Sequence, residues 1–281
     1  VSDQAHSSIG NALRIIGMDA LVVGAEDHRL TGQAVEAALA DDPQPETVVA
    51  LVATAGTTNA GIVDDLTGLG QAAAAHHLWF HVDAAYGGAA LFAPSVRDRF
   101  AGIEQADSYV VDPHKWLFAP FDCAALIYRQ PQLARAVHTQ DASYLDVLHT
   151  EAPDEWNPSD YAYHLTRRAR GLALWFSLAV NGTDLYRDAV EAALAMARQT
   201  AARVEEIPYL ELIRPPELSV VLFRRHGWTS DDYFTWSKQL LFDQIGFVTP
   251  SKWEGETVAR MAFLHPHTTI EMVDEILATM T

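Results

Sequence analysis

A chain of 281 residues, 49% of them hydrophobic, can bury a sizeable core and divide into one large and one smaller domain. Its formal net charge of −18 at pH 7 excludes nucleic acid and anionic membrane as partners, because both would repel it. The single cysteine, Cys123, rules out an intrachain disulfide and fits a reducing, cytoplasmic setting; no apolar run approaches the length of a membrane span.

The first residue is Val1 rather than methionine, and the chain runs straight into a motif-like segment, so we expect the later part of a longer protein. Ser7 and Ser8 begin a helix and read as its caps. Thr31 reads as the N-cap of a helix through Ala40, which Asp41-Asp42-Pro43 ends. Thr47–Ala53 is a short β-rich run closed by Ala55-Gly56-Thr57-Thr58. Asp65 to His77 predicts a helix, and Leu78–Val82 a buried strand ending at Asp83. Ser108–Val111 and Cys123–Tyr128 predict two more strands. Strands separated by helices imply an α/β fold with a largely parallel sheet and helices on both faces. Ligands gather at the carboxyl ends of such strands. Thr57, Thr58, Asp83, His114 and Lys115 all fall at or just after predicted strand ends.

Gln130 to Asn157 is polar, interrupted by Pro131 and Pro153, and reads as a long, lid-like connection. Ala169 to Val180 is an apolar helix stopped by Asn181-Gly182, and a second helix runs from Thr183 to about Glu205. Then follow a strand (Ser219–Arg224), a helix (Asp231–Ile245), a strand (Val258–Leu264) and a final helix (Thr268–Met280). We therefore expect a large-domain portion over residues 1–181 and a small α+β domain over 182–281.

The chain has only three lysines, Lys115, Lys238 and Lys252. Lys115 follows an apolar run and a proline and precedes Trp116-Leu117-Phe118. An amine in such surroundings is desolvated, its pKa falls and it attacks carbonyls more readily, which is the chemistry of a Schiff-base lysine. The plainer alternative is a lysine snorkelling at a strand end. Asp83 sits in His81-Val-Asp-Ala-Ala-Tyr-Gly-Gly88 on a buried strand, where a carboxylate needs a cation or donor beside it. A protonated pyridine nitrogen is one such partner and an arginine the other. The small residues Ala84, Ala85, Gly87 and Gly88 would let a flat ring approach the backbone. His76-His77 and His265-Pro-His267 lack ligand-spaced Cys or Glu, so no metal site is expected.

Together, Ser2-Asp-Gln-Ala-His-Ser-Ser8, Gly56-Thr-Thr58 with Asp64, His81-Val-Asp-Ala-Ala-Tyr86, Asp112-Pro-His-Lys-Trp-Leu117 with Phe121-Asp-Cys123, and Leu165-Thr-Arg-Arg-Ala-Arg170 resemble the group II pyridoxal-phosphate-dependent amino-acid decarboxylases. Trp116-Leu117 and Phe121-Asp122-Cys123 look closer to the aromatic-L-amino-acid branch than to the glutamate branch. The resemblance covers the C-terminal majority of a family member and implies a fold-type I enzyme. It also implies decarboxylation of an L-amino acid, aromatic as in that branch, to the amine and CO2. Acidic or diamino-acid substrates are the alternative, and a catalytically silent partner subunit is the reading from another class.

By the same resemblance Lys115 carries pyridoxal 5'-phosphate (PLP), Asp83 pairs with the pyridinium nitrogen, His6 lies over the ring, and Ala85 lies beneath it. Thr58 and His114 would be polar contacts to the cofactor, and Phe121 would face the substrate. Tyr144 matches the family's mobile-loop tyrosine, which returns a proton after CO2 leaves, and an exposed Asp64–Arg167 ion pair would support that loop. His6 and Tyr144 together argue for decarboxylation over oxidation to an aldehyde. The family carries asparagine where this chain has Asp112. Members are homodimers with sites at the interface. The family's phosphate-binding loop lies upstream of Val1, so a second polypeptide supplying it is a further expectation.

Overall fold

The computed structural model describes residues 1–140, 142 and 156–281. The first helix, α1 (Ser7–Ile16), is capped by His6, whose side chain accepts the Ser8 N–H. Ser7 and Ser8 are thus first-turn residues and not the caps, because the imidazole reaches the free N–H first. The Thr31 hydroxyl caps α2 (Gly32–Asp41) through the Ala34 N–H at 3.2 Å. Next come β1 (Ala50–Thr54), α3 (Leu66–Ala75) and β2 (Trp79–Asp83), with the Asp65 carboxylate capping α3 at the Gly68 N–H. The third strand, β3 (Ser108–Val111), leads into the single helical turn α4 (Pro113–Trp116) and β4 (Ala125–Tyr128).

These four strands form one sheet in the order β1-β2-β3-β4. The first three are parallel, with Thr54 beside Asp83 and Asp83 beside Val110, so their carboxyl ends finish together. The last, β4, runs antiparallel to β3, Ala125 facing Val111. The mixed α/β architecture is the one expected.

The segment after β4 departs from the expected featureless connection. It contains α5 (Pro131–His138), with Pro131 in the first turn, where the missing N–H costs nothing. Only Ala134 of this helix is buried, and its eight residues make barely two turns, too short a run for the spacing of Leu133, Ala134 and Val137 to mark a helix in the sequence. The long α6 (Gly171–Glu206) breaks at Gly182, whose φ of 71° and ψ of 167° suit glycine alone, as the predicted stop at Asn181-Gly182 requires. Then follow β5 (Leu210–Leu212), β6 (Val220–Arg225), α7 (Ser230–Phe242), β7 (Thr249–Trp253), β8 (Glu256–Ala262) and α8 (Ile270–Ala278).

The second sheet is antiparallel, ordered β5-β6-β8-β7. Neither β5 nor β7 is apparent in the sequence. The first has three residues, and the second carries Pro250 and Lys252, which an edge strand tolerates. One apolar cluster joins both sheets: Phe80, Val82 and Trp116 share it with Val190, Leu194, Phe223 and Met261. Among the described residues no helix is long and apolar enough to cross a membrane.

Candidate functional site

The carboxyl ends of β1, β2 and β3 open into a cleft of about 610 Å³ lined by His6, Thr58, Asp83, Ala85, Asp112 and Lys115, among others. Each element delivers its residue for a local reason. Phe80 and Val82 of β2 are buried while Trp79, His81 and Asp83 are half-buried, so the two-residue strand period turns Asp83 to the cleft side. Its Oδ1 then accepts the Ala85 N–H at 3.1 Å and bends the chain away from the sheet. After β1, Gly56 turns with φ 109°. A Cβ there would lie 2.9 Å from the Gly87 Cα and 3.0 Å from the Tyr86 ring, so glycine lets this wall close on the next. Pro113 starts α4 straight after β3, and that turn presents Lys115.

Lys115 is not the desolvated amine expected from its neighbours. Its side chain is 40% exposed, and Nζ lies 2.8 Å from Asp112 Oδ2. Trp116 and Leu117 take the buried positions, and the helical turn separates them from the lysine. The Asp83 carboxylate is half-buried, and among the described residues no ion pair reaches it. His81, two residues before it, is pulled below its ordinary pKa by burial, with Asp83 opposing that shift. Its Nδ1 lies 2.8 Å from Ser108 Oγ.

A primary amine, a carboxylate with no ion-pair partner among the described residues, and the small residues Gly56 and Ala85 therefore face one cleft, whereas Ala84, Gly87 and Gly88 are buried behind it. That donor set fits the ring and aldehyde of PLP: the amine suits the aldehyde, and the carboxylate suits a protonated pyridine nitrogen. Among the described residues the cleft lining offers no arginine and no second lysine for the phosphate.

The remaining expected residues fall differently. The ring Nδ1 of His114 lies 2.6 Å from the Cys123 carbonyl oxygen, and the side chain is not among those lining the cleft. Phe121 is 85% exposed and packs edge-on to His114 at 5.1 Å. Asp64 and Arg167 form no ion pair. Asp64 is buried, its carboxylate accepting the Leu30 N–H at 2.9 Å and the Thr54 N–H at 2.7 Å, while Arg167 donates to the Pro158 carbonyl. Burial pushes the Asp64 carboxyl up to about 6, although those N–H groups and Arg29 pull against it. It ties the Leu30 loop to the end of β1 instead of supporting an exposed loop. Tyr144 lies outside the described residues.

Three contacts around the cleft were not read from the sequence. Arg260 of β8 donates through Nε to the Thr58 carbonyl at 2.9 Å. The Tyr86 hydroxyl meets Ser219, and the Tyr86 ring stacks on Trp116. Those partners are 202, 133 and 30 residues away in sequence, where no local pattern connects them.

The family model described as pyridoxal-dependent decarboxylase conserved domain matches residues 1–226. An aromatic-L-amino-acid decarboxylase of Bacillus atrophaeus is 29% identical over 288 residues, which cover 98% of this chain and 60% of that protein. An L-2,4-diaminobutyrate decarboxylase of Rhizobium meliloti is 34% identical over 289 residues, covering 98% and 57%. Among solved structures, Oryza sativa TDC with PLP and tryptamine superposes with a TM-score of 0.89 at 25% identity, over 99% of this chain and 61% of that one. The chain thus spans about 60% of the length of these relatives.

Proposed function

We propose, since this chain belongs to the pyridoxal-dependent decarboxylase family, that it binds PLP in the cleft at the carboxyl ends of β1–β3 and removes the α-carboxylate of an L-amino acid. The observation that carries this reading is the meeting of Lys115 and Asp83 at that cleft. Lys115 is the one lysine lining it, so its Nζ is the nucleophile toward the cofactor aldehyde. Bound there, PLP would supply a conjugated ring able to accept the electron pair left as the carboxylate departs.

The chain's own residues bind and orient. Among the described residues Asp83 has no ion-pair partner, so its carboxylate is available to hold the ring N–H and keep that proton in place. His6, the cap of α1, and Ala85 after β2 line the same cleft, where they would cover the two ring faces, and Thr58 there would offer a polar contact. Lys115 must give up its Asp112 partner before its nitrogen can attack. Tyr144, placed by resemblance alone, is the proposed group that returns a proton to carbon.

The Bacillus relative and the rice complex with tryptamine support an aromatic substrate. The diaminobutyrate decarboxylase, at 34% identity, supports a second reading with a diamino acid. A homodimer is part of the proposal. Leu172, Trp175, Phe176 and Val180 share one face of α6 and are each more than 60% exposed, a patch of the kind that interfaces cover. The lone, buried Cys123 agrees with a cytoplasmic location.

The test is to mix the chain with PLP, reduce with borohydride, digest and map the adduct. An adduct concentrated on Lys115, with CO2 released from tryptophan, phenylalanine or dihydroxyphenylalanine, is the expected result. Adducts spread over Lys238 and Lys252 would sink the cofactor reading. Release only from diaminobutyrate would move the substrate to the second reading.

A further inference from the structure

Tyr86 lines the cleft, yet nothing in the chemistry above uses it. It follows Asp83-Ala84-Ala85 off the end of β2, and its hydroxyl reaches across to Ser219, the residue before β6. Oη lies 2.5 Å from Ser219 Oγ and accepts the Ser219 N–H at 3.0 Å. Ser219 is fully buried, and its carbonyl accepts the Phe263 N–H at 2.8 Å, so it is fixed between β6 and the end of β8. Burial pushes the Tyr86 phenol up to about 12, so at neutral pH it keeps the proton needed for a hydroxyl–hydroxyl bond.

The same ring touches two walls of the cleft. It stacks on Trp116 at 5.2 Å with an interplanar angle of 11°, and Trp116 is the fully buried neighbour of Lys115 in α4. Its Cδ1 also sits where a Cβ on Gly56 would come within 3.0 Å, so the turn after β1 closes directly against it. Trp116 is fully buried and Tyr86 half-buried, and the stack on a close-packed ring together with the Ser219 anchor restricts how far the Tyr86 ring can tilt.

We propose that Tyr86 is a positioning residue: anchored by Ser219, its ring carries the register of the antiparallel sheet to the turn bearing Lys115 and fixes where Nζ stands. Its bearing on chemistry rests on the reading of Lys115 as the cofactor lysine, whereas the geometric claim is testable without cofactor. Tyr86→Phe removes both hydroxyl bonds and keeps the ring. The turn then relaxes, and Nζ spends less time against Asp112.

The experiment uses the full chain and its three lysines as internal references. Wild type, Tyr86→Phe and Ser219→Ala are pulse-labelled with limiting acetic anhydride, and acetylation of Lys115 is measured by mass spectrometry against Lys238 and Lys252. Thermal unfolding is followed in parallel. The expected result is a Lys115 ratio raised about threefold in Tyr86→Phe and about twofold in Ser219→Ala, the fraction of the lost hydrogen-bond energy that reaches the lysine through the ring stack. A merely structural role lowers Tm and leaves the ratio alone. An unchanged or lower ratio in a folded variant overturns the proposal, and Ser219→Ala, which keeps the N–H bond to Oη, serves if Tyr86→Phe does not fold. Borohydride trapping of PLP on the wild type is the separate arm: no Lys115 adduct there defeats the cofactor reading, while the acetylation ratio still decides the role of Tyr86.

Discussion

Asp112→Asn is the most direct perturbation of Lys115, the proposed cofactor lysine. The Asp112–Lys115 contact of 2.8 Å joins a largely buried carboxylate, 15% exposed, to an amine that is 40% exposed. The pair exists only while the nitrogen is an ammonium, so it must be surrendered before that nitrogen attacks a carbonyl. Solvent reaches the lysine side, which places its worth near that of a surface pair, about 0.5–1 kcal/mol. Losing that restraint speeds attack by about two- to fivefold, at about 1.4 kcal/mol per decade. The assay mixes the chain with excess PLP, quenches aliquots with borohydride over time, and reads the adduct on Lys115 against Lys238 and Lys252. Asparagine keeps the size and a hydrogen-bond acceptor, so the turn itself should stay folded. The advantage of Asp112→Asn should also shrink in about 1 M salt, where charges more than about 3 Å apart are screened. An equal or slower rate in the variant would refute the idea that Asp112 restrains the lysine.

Three further outcomes follow from charge and backbone. Burial raises the Asp64 carboxyl from its ordinary 3.8 to about 6, so the folded chain holds a proton that the unfolded chain has released across that window. Stability is therefore lost as pH rises from about 4 to 6, by about 3 kcal/mol at about 1.4 kcal/mol per pH unit. Asp64→Asn cannot titrate there, so urea unfolding from pH 4 to 7 should show wild type losing about that much relative to the variant; a pH-independent gap between them would contradict this. Glu217, 8% exposed, meets Arg29 at 2.7 Å, Arg99 at 3.3 Å and Arg214 at 3.0 Å; among the described residues Glu217→Gln leaves Arg29 and Arg99 without a carboxylate and Arg214 with only the exposed Asp27 at 3.7 Å. Solvent at Arg29 and Arg99 softens the loss to about 2–3 kcal/mol in chemical denaturation, and a change under about 0.5 kcal/mol would show the cluster to be ornamental. Gly182→Ala puts a Cβ at φ 71° and ψ 167°, which should cost about 1–3 kcal/mol; no loss would mean the α6 break can shift to another residue.

The elements readable in the sequence are those whose signals are local. Thr31 caps α2, Asp65 caps α3, and Gly182 breaks α6, because a cap or a left-handed glycine acts within four residues of itself. The strand ends that carry Asp83 and Lys115 were legible for the same reason: the short apolar run Leu78–Val82 stops at Asp83, and a proline closes β3 and starts a turn. Where partners are remote, local pattern misleads. Family resemblance paired Asp64 with Arg167 on the surface, yet Leu30, 34 residues away, and Thr54 satisfy it inside the core, and no local pattern announces either partner. His114 sits beside Lys115 in sequence, but its ring turns to the Cys123 carbonyl.

Lys115 shows why composition around a residue is a poor guide to its solvation. Its neighbours Trp116 and Leu117 are apolar, and in an extended strand one of them would share its face. In the turn of α4 successive side chains diverge by about 100°, so the buried pair points into the core and the lysine toward the cleft. What the apolar neighbours then supply is a rigid support and not a dry environment. Trp116 stacks on Tyr86, Tyr86 is held by Ser219, and Asp112 from the start of the same turn holds Nζ. The reactivity of the amine is accordingly governed by one removable ion pair and one anchored ring. Both can be changed by single substitutions that leave Lys115 and the cleft lining of Asp83, Ala85 and Thr58 in place.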